Sequence, residues 1–142
     1  MEIKQLAHAS FKVSDMAAAV DFYCNGLGFT DKFDLPDEQG RPWIKYLEIR
    51  PGQFLELFYD HDDSPKATHG YDLNGYLHLS LEVPDIEATK RELQAKGLPV
   101  NSAVKFGPDQ SYQLWSADPD GNQIEFMQYT PDSFQLHGRP ED

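Results

Sequence analysis

Cysteine is nearly missing: Cys24 is the only one among 142 residues. No disulfide can close within the chain, so a reducing cytoplasm is the expected setting and a small buried residue on a helix is the expected role of Cys24. A surplus of positive charge is missing too. With 12 basic against 24 acidic residues and a formal charge of −12, the chain lacks the positive field that nucleic acid or an anionic membrane surface requires. No apolar run approaches the roughly 18 residues of a membrane span. The start, Met1-Glu-Ile-Lys-Gln-Leu, has no basic stretch leading into an apolar core, so no secretory leader is expected. Gly-rich phosphate loops, a nucleophile elbow and a Cys-x-x-Cys pair do not occur.

What is present suits one globular domain over residues 1–142. The hydrophobic fraction is 39% before the ten glycines are counted, and a chain of this length buries roughly 68% of its unfolded surface. Within it a module is repeated. His8-Ala-Ser-Phe-Lys-Val-Ser-Asp15-Met16 aligns with His78-Leu-Ser-Leu-Glu-Val-Pro-Asp85-Ile86, and Glu56 with Glu125; the offsets are 70 for the histidines and 69 for the glutamates. A period of this kind marks a doubled structural unit.

Each copy has the same order of patterns. Residues 6–13 alternate, with His8, Ser10 and Lys12 on one face and Ala7, Ala9, Phe11 and Val13 on the other, which predicts a half-buried strand. Ser14-Asp15 then offers an N-cap for a helix over 16–24, closed by Gly26 and Gly28. Strands are predicted over 29–34, 43–49 and 53–59. In the second copy residues 76–83 alternate again, Asp85 caps a helix running to Lys96, and strands are predicted over 100–104, 112–117 and 123–129. Asp118-Pro-Asp-Gly-Asn122 carries the chemistry of a tight reversing turn. The expected organisation is a first βαβββ module over 3–60, a polar linker over 61–75, a second module over 76–130 and a tail over 131–142, where Phe134 and Leu136 are candidates to tuck against the body or a second subunit.

Strand parity tests the repeated residues as a site. His8 and His78 share their faces with serine and charged residues, opposite the apolar faces that would pack on helices. Glu56 lies with Phe54 and Phe58, and Glu125 with Gln123 and Met127. A carboxylate among such neighbours costs several kcal/mol unless a cation meets it. Two imidazoles and two carboxylates without a thiolate suit Ni²⁺, Zn²⁺, Co²⁺, Fe²⁺ or Mn²⁺. His61, His69, His137, Glu48 and Glu82 are expected to be surface residues, and Asp118 and Asp120 to be turn formers.

These residues resemble the vicinal oxygen chelate superfamily, also called the glyoxalase/bleomycin resistance/dioxygenase superfamily, and within it glyoxalase I (lactoylglutathione lyase). The resemblance covers about residues 3–130 and lies in His8 with Val13-Ser-Asp15, Asp21-Phe-Tyr-Cys-Asn-Gly-Leu-Gly-Phe29, Leu55-Glu56-Leu57, His78-Leu-Ser-Leu-Glu-Val and Asp118-Pro-Asp-Gly-Asn-Gln-Ile-Glu125. It implies an α+β fold in which two tandem βαβββ modules form an open, cup-shaped, eight-stranded mixed sheet. It also implies one divalent transition metal per site, nickel or zinc first and cobalt, manganese or iron as alternatives, held by His8, Glu56, His78 and Glu125. A glutamate at both carboxylate positions resembles the glyoxalase I set and implies proton transfer beside a chelated carbonyl, with Glu125, or else Glu56, as the catalytic base. The partner so implied is an oxygenated small molecule such as a glutathione hemithioacetal, and a homodimer is expected. For glutathione's carboxylates the sequence offers Arg41, Lys45, Arg50 and Lys105. The competing readings are an Fe²⁺ extradiol dioxygenase and a non-catalytic, ligand-sequestering resistance protein, with Trp43, Phe54, Phe58, Trp115 and Met127 lining a groove.

Overall fold

Strand-forming alternation and two capped helices build the same unit twice. The computed structural model describes residues 1–68 and 70–141, and the chain divides into two compact units, Met1–Ala67 and Thr68–Asp142. In the first, β1 (His8–Val13), α1 (Met16–Val20), β2 (Thr30–Pro36), β3 (Pro42–Arg50) and β4 (Gln53–Tyr59) follow in order. Their four strands form an open mixed sheet ordered β1-β4-β3-β2, in which only the β1–β4 pair is parallel. The second unit repeats this with β5 (His78–Glu82), α2 (Ile86–Ala95), β6 (Lys105–Phe106), β7 (Ser111–Ala117) and β8 (Gln123–Tyr129), ordered β5-β8-β7-β6. The eight strands are thus shared as four and four in an α+β architecture. Among the described residues no helix is long and apolar enough to cross a membrane.

The helices start where their caps predict. Asp15 Oδ1 accepts from Ala18 N at 3.0 Å and Asp85 Oδ1 from Ala88 N at 2.9 Å, each satisfying a first-turn donor that the helix itself cannot pair. They end differently. The second helix closes at Gly97, whose φ of 68° is open to glycine, with Leu98 N bonding Leu93 O and Gly97 N bonding Gln94 O. The first was expected to run to Cys24, but its α-helical part stops at Val20 and continues as a π-helical turn over Asp21–Gly26. That wider turn accommodates two adjacent large rings: Phe22 and Tyr23 are both buried and meet edge to face at 4.9 Å. Cys24 lies in this turn, half-buried, its thiol pushed up by burial and by Asp31.

One expected strand is displaced. Residues 100–104 do not pair; the strand is Lys105–Phe106, beside Gln113 and Tyr112. The earlier residues are drawn instead into side-chain and isolated backbone bonds, Asn101 N to Trp115 O and Trp115 N to Ser102 Oγ, so no ladder forms there. The tail also departs from the irregular segment expected. It forms a short α3 (Phe134–His137), anchored by buried Ser133, whose Oγ lies 2.8 Å from Ser111 Oγ. Phe134 is half-buried while Leu136 stays exposed.

Each core lies on the helix side of its sheet. Val13, Tyr23, Leu47, Leu55 and Leu57 are fully buried in the first unit, and Leu114 and Ile124 in the second, with Ile86 and Leu93 of α2 nearly so. Burying such side chains is worth about 1.5–3 kcal/mol each. Because side chains alternate, packing these residues on one face turns His8, Ser10, Glu56, His78, Ser80 and Glu125 to the other.

Candidate functional site

Register decides which side chains meet on that second face. In the first unit Ser10 pairs with Glu56 along β1–β4, and Tyr46 pairs with Glu56 along β3–β4. The carboxylate is therefore flanked from both sides. Ser10 Oγ donates to Glu56 Oε2 at 2.6 Å, the Tyr46 phenol faces the same group from β3, and His8 Nε2 stands 3.4 Å from Oε2. Burial pushes the Glu56 carboxyl up, yet the Ser10 and Tyr46 hydroxyls and the neighbouring His8 outweigh it and hold it below the usual value. The neighbouring Glu56 carboxylate, with burial, also pushes the Tyr46 phenol up.

The second unit reproduces the frame with different chemistry. Ser80 and Trp115 pair with Glu125 in register, and His78 Nε2 lies 3.3 Å from Glu125 Oε2. Trp115 occupies the place of Tyr46. It has no hydroxyl to give; its ring meets His78 edge to face, centroids 4.8 Å apart at 84°. Among the described residues no hydroxyl donates to Glu125, and the buried Nδ1 of His78 has no hydrogen-bond partner. Tyr46 was not singled out in the sequence. Its signal was available, since Tyr46 and Trp115 share the 69-residue offset of Glu56 and Glu125.

In both units the glutamate is sequestered, its side chain 7% and 8% exposed, while the histidines remain 45% and 29% exposed. An imidazole nitrogen and a carboxylate oxygen that share a tetrahedral or octahedral ion at about 2.0–2.2 Å stand about 3.0–3.5 Å apart. The separations of 3.4 and 3.3 Å fall in that window, so the donors of each pair fit a divalent cation. In neither unit, among the described residues, do three His, Cys, Asp or Glu side chains gather; each contributes a pair.

The other nominees have other partners. His61 is exposed, stacks on Tyr59 at 6.2 Å and donates through Nε2 to the Pro42 carbonyl at 2.7 Å. His137 is exposed in α3, and His69 lies outside the described residues. Glu48 pairs with Lys32 at 3.2 Å, and Glu82 is exposed. Asp118 organises its turn, accepting from Asp120 N, Asn122 N and Asn122 Nδ2, with Gly121 at a φ of 85°. Of the groove residues, Phe54, Phe58 and Trp115 are half-buried, Met127 is buried and Trp43 is exposed against Phe58. Of the basic nominees, Arg41 binds Asp37, and Lys45 is buried between Asp31 and Asp34 on the helix side. Arg50 and Lys105 are exposed.

The lactoylglutathione lyase of Neisseria meningitidis serogroup A is 32% identical over 131 residues, covering 87% of this chain and 90% of that protein. The crystal structure of SMU.1112c matches with a TM-score of 0.77 at 26% identity, covering 89% of this chain and 99% of the other. TnmS3, an antibiotic-binding protein from Streptomyces sp. CB03234, matches with a TM-score of 0.67 at 28% identity, covering 92% and 99%. The model of the Glyoxalase/Bleomycin resistance protein/Dioxygenase superfamily matches residues 5–126, and the chain belongs to that superfamily.

Proposed function

We propose that the chain is a divalent-metal-dependent lyase or isomerase that moves a proton between adjacent carbons of an oxygenated small molecule. His8, Glu56, His78 and Glu125 are its metal ligands, drawn from one chain or from two chains of a homodimer. The observation that carries this reading is the pair repeated in both units, an imidazole nitrogen 3.4 or 3.3 Å from a buried carboxylate oxygen at the same register position. A bound ion of the nickel or zinc type would supply a Lewis acid that polarises the substrate carbonyl and acidifies the adjacent C–H.

The two carboxylates then have different work. Glu56 accepts from Ser10, and leaving that charge-assisted bond costs about 1.5–3 kcal/mol. It is suited to stay fixed. Glu125 has no such hydroxyls among the described residues and is suited to swing, take the carbon-bound proton and return it to the neighbouring carbon. The name lactoylglutathione lyase carried by the neisserial relative makes the methylglyoxal–glutathione hemithioacetal the first substrate to assay.

The test is calorimetric titration of metal-free protein with Ni²⁺ and Zn²⁺, together with solvent-deuterium incorporation into hydroxy-carbonyl compounds and the hemithioacetal assay. A chain that binds neither cation more tightly than its Glu125→Gln variant, and exchanges no carbon-bound proton, would sink the reading. Mixing His8→Ala with His78→Ala protein reads the arrangement: activity returns if each ligand set is drawn from two chains and stays absent if it comes from one.

A further inference from the structure

We propose that the compound handled beside the His8–Glu56 pair is a neutral aryl molecule with adjacent hydroxyl and carbonyl oxygens, seated on an aromatic shelf of Phe33, Tyr46 and Phe54, and not a glutathione adduct. This rests on the proton-transfer reading and adds its substrate class. The shelf adjoins the carboxylate directly. Tyr46, directly across from Glu56 in the β3–β4 register, is stacked under Phe33 with centroids 4.4 Å apart and planes at 17°. Phe54 meets Tyr46 edge-on at 5.9 Å, and His8 meets it at 6.5 Å and 83°. Phe33 stays 43% exposed, and an exposed aromatic ring offers a ligand a surface for stacking.

The backbone is bent to put that ring there. Asp31 pairs with Leu47, and after a register shift Phe33 pairs with Tyr46. An uninterrupted ladder would set Lys32 opposite Tyr46 and send Phe33 to the helix side. The bulge exchanges a lysine for a phenyl ring beside the site, which is a known use of bulges.

Charge argues the same way. The lysines nearest this face are already engaged: Lys12 lies 2.9 Å from Asp60, and Lys32 lies 3.2 Å from Glu48. Lys45 and Arg41 are held by Asp31, Asp34 and Asp37. In the second unit Lys105, in register with Gln113 on the Glu125 face, has no carboxylate partner among the described residues. Of the four cationic nominees only Lys105 and Arg50 lack a carboxylate partner among the described residues, and the formal charge of −12 opposes an anionic ligand further.

The experiment uses metal-loaded full-length protein in deuterated water, with α-hydroxyacetophenone, hydroxyacetone and the methylglyoxal–glutathione hemithioacetal as probes. In the exchange step a C–H bond adjacent to the carbonyl breaks, its proton passes to the catalytic carboxylate and a solvent deuteron takes its place, so no oxidant or reductant enters. Expected is a KM for α-hydroxyacetophenone roughly tenfold below that for hydroxyacetone, a difference erased by Phe33→Ala and kept by Phe33→Tyr. A lower KM for the hemithioacetal than for the aryl ketone, or a Phe33→Ala effect equal for both ketones, overturns the shelf. Cation binding and hydroxyacetone exchange without aryl preference overturn the shelf alone; no cation binding and no exchange of any probe overturn the proton-transfer reading along with it.

Discussion

Tyr46 and Trp115 hold the same register position in their sheets, each directly across from its unit's glutamate, and only Tyr46 carries a hydroxyl. A repeat that is symmetric in its ligand pairs is therefore asymmetric in what holds them. Ser10→Ala removes a 2.6 Å bond to a buried carboxylate, and urea unfolding at pH 7 should show a loss of about 1.5–3 kcal/mol.

Exchanging Glu125 should cost chemistry more than binding. Glu125→Gln is expected to lower kcat by about 10²–10⁴-fold, the usual contribution of a positioned base. Glu56→Gln should chiefly weaken the metal, raising its dissociation constant. Stopped-flow kinetics beside calorimetric titration separates the two, and equal effects of both substitutions on kcat would refute the division of labour.

Trp115 steers His78 by an edge-to-face contact where a hydrogen bond would ordinarily orient the ring. Trp115→Ala should weaken Zn²⁺ or Ni²⁺ binding about 10–100-fold, in the range of lost outer-shell support. Trp115→Phe should retain most of the affinity, because another aromatic edge can replace the indole. A titration in which alanine and phenylalanine behave alike would deny the steering role.

Asp60 clamps the end of the first module. The Lys12 ammonium 2.9 Å away and the Ser64 hydroxyl and amide hold its carboxyl well below the usual range. A depressed folded pKa stabilises above the unfolded value of about 3.9 and is lost as pH falls through the folded value. Asp60→Asn should thus lower the melting temperature at pH 7, and its difference from the parent chain should shrink steadily below about pH 4. A difference independent of pH would contradict the assignment.

The cores are judged by their largest fully buried aliphatics. Leu57→Ala and Leu114→Ala, both at positions with 0% exposure, should each cost about 2–5 kcal/mol in denaturant titrations. Leu136→Ala, at a 54% exposed position, should stay within about 0.5 kcal/mol.

The order of elements and the facing of the histidines were legible in the chain because alternation and N-capping are local. Two residues per strand period put His8 and His78 opposite Phe11, Val13 and Leu81 whatever the sheet does, and Asp15 and Asp85 cap their helices within three residues. The repeat at offsets of 70 and 69 likewise needs no coordinates. Pairing across strands was not legible. The π-helical turn at Asp21–Gly26 answers to packing of Phe22 with Tyr23, and the shift of β6 to Lys105–Phe106 answers to the bonds that Asn101 and Ser102 make with Trp115.

By itself, then, the sequence determined which residues face away from the helices and that a His and a Glu recur in each module. Only the tertiary structure decided what surrounds them: that Ser10 binds Glu56 with Tyr46 across from it, that Trp115 stands beside His78, and that a bulge seats Phe33 on Tyr46. The reason is register, a relation between strands far apart in the chain, where a shift of one residue turns every side chain to the opposite face.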